Sequence, residues 1–106
     1  MRLSDLQDHD YQVLEDYWFD FKEIATEKSD YEPRQRHLKN VVGAIERLYN
    51  ESDGVTRELI EQGYFNPIAK QIDNKYMAKE LGVTQTKLSR VREGLMQETA
   101  ELIGFV

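Results

Sequence analysis

Apolar residues recur at three- and four-residue steps through most of the chain, the spacing that places them on one face of a helix. From Leu3 to Lys28 the set Leu6, Val13, Leu14, Tyr17, Trp18, Phe21, Ile24 and Ala25 predicts one long amphipathic helix. Ser29-Asp30-Tyr31-Glu32-Pro33 interrupts it, and Pro33 suits the first turn of a new helix, where its missing N–H is not needed. Leu38, Val41, Val42, Ile45, Leu48 and Tyr49 then carry the same period to Asn50. Glu51-Ser52-Asp53-Gly54 breaks it again, with Ser52 or Asp53 available as a cap. Val55, Leu59, Ile60 and Tyr64 mark a short third helix, which Gly63 and Asn66-Pro67 end. Residues 67–72 read either as the start of the next helix or as a linker. Strand-like alternation is nowhere sustained, so the expected fold is all-α: a long N-terminal helix followed by a small helical bundle.

Composition narrows the picture. The 106 residues suffice for one modest core, and 40% hydrophobic with 32% charged residues describes a globular chain. Without cysteine there is no disulfide, thiolate nucleophile or Cys-bound zinc, which suits a reducing cytoplasm. The apolar runs are too short for a membrane span, and the N-terminus lacks the apolar stretch of a secretory leader. No Gly-rich phosphate loop or Ser-His-Asp set stands out, so neither an enzyme nor a cofactor is expected. Asp8-His9-Asp10 places its side chains on different helix faces and makes a poor metal site. Arg34-Gln35-Arg36-His37-Leu38-Lys39 is a basic surface or a secondary phosphate contact.

Net charge is −6, which argues against a polyanionic partner until the chain is divided. Residues 1–32 hold three basic and ten acidic groups; residues 33–106 hold eleven and ten. The acidity therefore lies in the N-terminal segment. Its rings Tyr17, Trp18, Phe19 and Phe21 either pack on the rest of the domain or form a docking face, with Tyr17, Trp18 and Phe21 the candidate contacts. Positions 74–92 carry Lys75, Lys79, Lys87, Arg90 and Arg92 against Glu80 alone, a local +4.

That stretch also has an internal order. Met77, Ala78 and Leu81 share one helix face; Gly82 falls where the chain must leave the helix, a place that favours positive φ. Val83 fills the corner, Thr84 caps a second helix, and Leu88, Val91 and Leu95 form its inner face. Counted from Asn74, a small residue at the fifth place, glycine at the ninth and apolar residues around them match a helix-turn-helix, here residues 74–95. In that geometry the second helix enters the major groove by its N-terminal half. Gln85, Thr86, Ser89 and Arg90 face away from the inner side; Arg90 suits guanine and Gln85 adenine. Lys75, Lys87 and Arg92 are candidate phosphate contacts.

The runs Arg47–Phe65 and Met77–Arg92 give the chain a family look. Gly63-Tyr64-Phe65 and Met77-Ala78-Lys79-Glu80-Leu81-Gly82-Val83-Thr84 stand where a helix ending near "R-Y-F" and the motif "E-I-A-x-x-L-G-V-S" are found. Over residues 33–104 the chain resembles the ArpU/RinA-like transcriptional regulators of phages of Gram-positive bacteria, whose C-terminal part is similar to the region-four promoter-binding domain of sigma factors. The segment Asn66–Asp73 is longer than that pattern. The resemblance implies activation of late phage genes for packaging, morphogenesis and lysis, through a DNA site and the host RNA polymerase. It places Thr84, Gln85, Thr86, Ser89 and Arg90 on the recognition helix.

The resulting expectation is a cytoplasmic regulator with an acidic N-terminal helix (1–32) and a sigma-like helical DNA-binding domain (33–106). Its partners would be double-stranded DNA and, through the N-terminal helix, the polymerase, a phage or mobile-element modulating protein, or a second copy in a homodimer. The alternative is a protein-interaction adaptor or antagonist that keeps the helix pair without binding DNA.

Overall fold

The computed structural model describes residues 8–27 and 31–104, with side chains from Asp10 onward. The described residues form helices and turns, without a strand. Helix α1 spans Asp8–Phe19 and α2 spans Phe21–Thr26, followed by α3 (Glu32–Glu51), α4 (Gly54–Ile60), α5 (Asn74–Leu81) and α6 (Gln85–Leu102). A π-type turn at Glu61–Phe65 extends α4, and a 3₁₀ turn at Ala69–Gln71 lies in the connection before α5.

The single helix expected from Leu3 to Lys28 is, within the described residues, two helices that meet at Asp20; Leu3, Leu6 and Lys28 lie outside them. Asp20 leaves helical geometry at φ −97° and ψ 15°, yet its N–H still reaches the Asp16 carbonyl at 2.9 Å. Asp20 thus keeps its own backbone bonds at the bend, since its carbonyl also accepts from the Ile24 N–H at 2.9 Å. The bend lets consecutive aromatics reach different partners: Phe19 packs on Tyr64, and Phe21 stacks on Phe65 with ring centres 5.3 Å apart. Periodicity alone carries no sign of such a bend, because an off-helix residue with intact bonding does not disturb the apolar spacing. Residues 67–72, left open between helix and linker, are a connection with one short 3₁₀ turn.

One core joins every helix except α2, in which no residue is fully buried. Leu14 and Trp18 of α1 meet Val41, Ile45 and Leu48 of α3, Leu59 and Ile60 of α4, Met77 and Ala78 of α5, and Leu88, Leu95, Met96 and Ala100 of α6. The Trp18 indole N–H donates to Thr99 Oγ1 at 3.0 Å, and that hydroxyl donates to the Leu95 carbonyl at 2.7 Å. Both buried polar groups are satisfied, so the ring can be wholly enclosed. The aromatic segment therefore supplies the domain's core. Trp18, a candidate docking residue from its sequence, is corrected to a core residue with no accessible surface. Tyr17 and Phe21 keep partial exposure, Tyr17 bonded to His37 at 3.0 Å.

A second polar contact lies beneath α1. Tyr64 OH donates to Glu15 Oε2 at 2.7 Å, and Arg92 Nη1 lies 3.7 Å from the same oxygen, its guanidinium 5.1 Å from the Tyr64 ring centre. Burial, then the Glu15 carboxylate, pushes the nearby Tyr11 phenol up to about 12; burial also drives Tyr64 well above its ordinary value of 10. Both phenols hold their protons more tightly folded than unfolded. Their stabilisation is whole below pH 10; that of Tyr11 drains as pH rises from there through about 12, and that of Tyr64 also drains above pH 10. An absorbance titration should therefore show Tyr11 and Tyr64 among the last of the six tyrosines to ionise, together with loss of the helical circular dichroism signal. Uniform titration near pH 10 with helices intact would contradict this placement.

Candidate nucleic-acid interface

The residues proposed to meet DNA lie on α5, α6 and the turn between them. Asp73 caps α5 by accepting from the Tyr76 N–H at 2.7 Å. Gly82 ends it at φ +70°, in the left-handed region where a side chain is penalised. The Val83 N–H returns to the Ala78 carbonyl at 2.9 Å, which closes the turn tightly. Thr84 caps α6, its hydroxyl accepting from the Lys87 N–H at 3.0 Å. That bond is the cap expected of Thr84, and it occupies the hydroxyl of a residue that the resemblance also places on the recognition helix as a base-reading candidate. Met77 and Ala78 on α5 and Leu88 and Leu95 on α6 are buried, with Leu81, Val83 and Val91 half-buried. The inner face of α6 expected from spacing is found at Leu88 and Leu95, but it is centred nearer Arg92 and Met96, which are buried, than Val91.

The outer face follows from it. Gln85, Thr86, Lys87, Ser89 and Arg90 are all exposed, as are Lys75 and Lys79 of α5. Among the described residues no carboxylate lies within ion-pair distance of Lys75, Lys79, Lys87 or Arg90. Tyr76, 56% exposed between the two lysines of α5, adds an aromatic ring that spacing had not singled out. Its signal was available: an aromatic one position out of phase with Met77 has no inward face to occupy.

Arg92 does not belong to this set. It was expected to contact phosphate, but it lies beneath α1 with 9% exposure, beside Glu15 and over Tyr64. Its Nε is buried with no hydrogen-bond partner among the described residues. The reason is angular: Arg92 follows Val91 and precedes Leu95 and Met96 by one turn, which carries it toward the core side of α6. The exposed charge of this stretch is then four cations against Glu80, or +3 rather than +4.

Beyond Arg90 the sign of α6 reverses, with Glu93, Glu98 and Glu101 exposed. The corner between α3 and α4 is also acidic. Asp53 caps α4 by accepting from the Thr56 N–H at 2.7 Å, and that bond, more than the nearby Lys87 ammonium, holds its carboxyl below the ordinary value. The cationic half of α6 is thus bounded by an acidic one. Among the described residues no group of His, Asp and Glu is placed to hold a metal, and no helix is long and apolar enough to cross a membrane. Comparison with family models, with curated proteins and with solved structures gives no match to this chain.

Proposed function

We propose that the chain is a sequence-specific DNA-binding transcriptional regulator, with α5 and α6 acting as a helix-turn-helix. The observation that carries this reading is the division of α6: Leu88 and Leu95 anchor it while Gln85, Thr86, Ser89 and Arg90 face solvent together with the exposed Lys75, Lys79 and Lys87. An anchored helix is what base reading requires, since its contacts demand fixed register on the duplex. Arg90 reads guanine with two parallel hydrogen bonds, Gln85 reads adenine, and Lys75 and Lys87 hold phosphates. The sequence resemblance makes the activator of phage late genes, working with the host RNA polymerase, the specific form of this proposal.

The test is fluorescence anisotropy against a pool of double-stranded fragments at two salt concentrations. Selective binding should weaken log-linearly with salt, and Arg90→Ala should cost about 1–3 kcal/mol on the preferred site. Binding that ignores both salt and Arg90 would sink the reading. The overall charge of −6 and the acidic border of Arg90 favour a second reading, a protein-interaction adaptor, for which no duplex binding is expected at any salt.

A further inference from the structure

A groove of about 390 Å³ runs along α6 where the α3–α4 corner faces it. Its wall includes Leu48, Val91 and Leu95, and Glu51, Asp53 and Glu98 border it. Gly94 opens it: the position lies inside an 18-residue helix, and a Cβ built there would meet nothing within 4 Å. Glycine in a helix interior is disfavoured where alanine would fit, so this gap is not forced by packing. From Arg90 to Glu98 the groove extends for two helical turns, about 12 Å. Leu48 and Leu95 close the floor of the groove, and half-buried Val91 gives it a narrow apolar strip. Strip and carboxylate rim together match a chain with aliphatic stems and cationic heads, as lysine and arginine side chains have.

We propose that the groove around Gly94 docks a basic segment of a protein partner, its aliphatic stems over Val91 and its charges among Glu51, Asp53 and Glu98. Asp53 presents an exposed carboxylate there, one oxygen of which accepts from the Thr56 N–H. Glu51 already pairs with Arg47 at 3.2 Å, an exposed contact that a partner cation can share or replace. Arg90 borders the same groove, so a docked segment ends beside the surface proposed for DNA and would place a second protein against it. The site does not depend on the DNA reading, since its occupant is a peptide.

The experiment titrates a fluorescein-labelled peptide of repeated Arg-Leu-Lys units into the full chain without DNA, with a Glu-Leu-Glu twin as control. The basic peptide should bind and the acidic twin should not. Gly94→Leu fills the groove without changing charge and should weaken binding about tenfold or more, whereas Glu23→Gln on α2 should leave it unchanged. Should Gly94→Leu fail to fold, Glu98→Lys decides, with the same loss expected. No binding, or binding that Gly94→Leu or Glu98→Lys leaves intact, overturns the proposal, the latter because it reveals only general attraction to an acidic chain.

Discussion

Trp18→Ala should remove about 3–5 kcal/mol of stability and lower the melting temperature by at least about 12 °C. The indole has no accessible surface, lies among α1, the Glu61–Phe65 turn and α6, and carries the bond to Thr99. Truncation loses the transfer energy of the ring and leaves a cavity that helices on three sides cannot close. A domain of this size has roughly 5–15 kcal/mol in total, so the change consumes a large share of it. Trp18→Phe separates the contributions: it keeps most of the ring and loses the indole donor, while Thr99 still donates to Leu95, so about 1–2 kcal/mol should go. Removal of residues 1–27 extends the argument. It deletes Leu14 together with Trp18 and uncovers Ile45, Ile60 and Met96, and cooperative melting should disappear. A truncated chain that melted like the full one would show that α1 only decorates a self-sufficient bundle. The proposed DNA surface and the acidic N-terminal segment would then be separable, which their shared core argues against.

The parts legible in sequence were those where one residue type answers one local demand. Gly82 is at positive φ, Thr84 and Asp53 are caps, and Pro33 opens α3, each because the backbone there accepts few alternatives. Inner faces were legible for the same reason, since helical period converts spacing directly into direction. What failed were residues whose place depends on a distant element. Trp18 and Arg92 have identities that suit an interface and a phosphate, and only the arrival of α1 over α6 encloses both. The bend at Asp20 was illegible because it serves the aromatic packing of Tyr64 and Phe65, many residues away. The exposure of Gln85, Thr86, Ser89 and Arg90 was legible from spacing, while the inward turn of Arg92 and the acidic corner of α3 and α4 beside Arg90 were not.

Arg92 supports a second large expectation, because a buried ion pair is costly to break and cheap to replace. The side chains of Glu15 and Arg92 are 16% and 11% exposed, their nearest atoms are 3.7 Å apart, and the Nε proton of Arg92 lacks an acceptor among the described residues. Their geometry is therefore poor repayment for the desolvation of two charges. Glu15→Ala leaves the guanidinium enclosed beside Tyr64 with no counter-charge and should destabilise the chain by about 3–5 kcal/mol. The double change Glu15→Gln with Arg92→Met removes both charges, keeps an acceptor for the Tyr64 hydroxyl, and fills the space with a flexible apolar chain. It should melt at or above the wild-type temperature, so the two sites should show strong coupling in a double-mutant cycle. The same variant separates structure from recognition. If Arg92 touched phosphate, its loss would lower the slope of log affinity against log salt by about one, as Lys87→Ala is expected to do. Because it is buried under α1, the double variant should keep the wild-type slope. A reduced slope with unchanged melting would mean that Arg92 reaches the duplex after all, and that α1 moves aside when α6 binds.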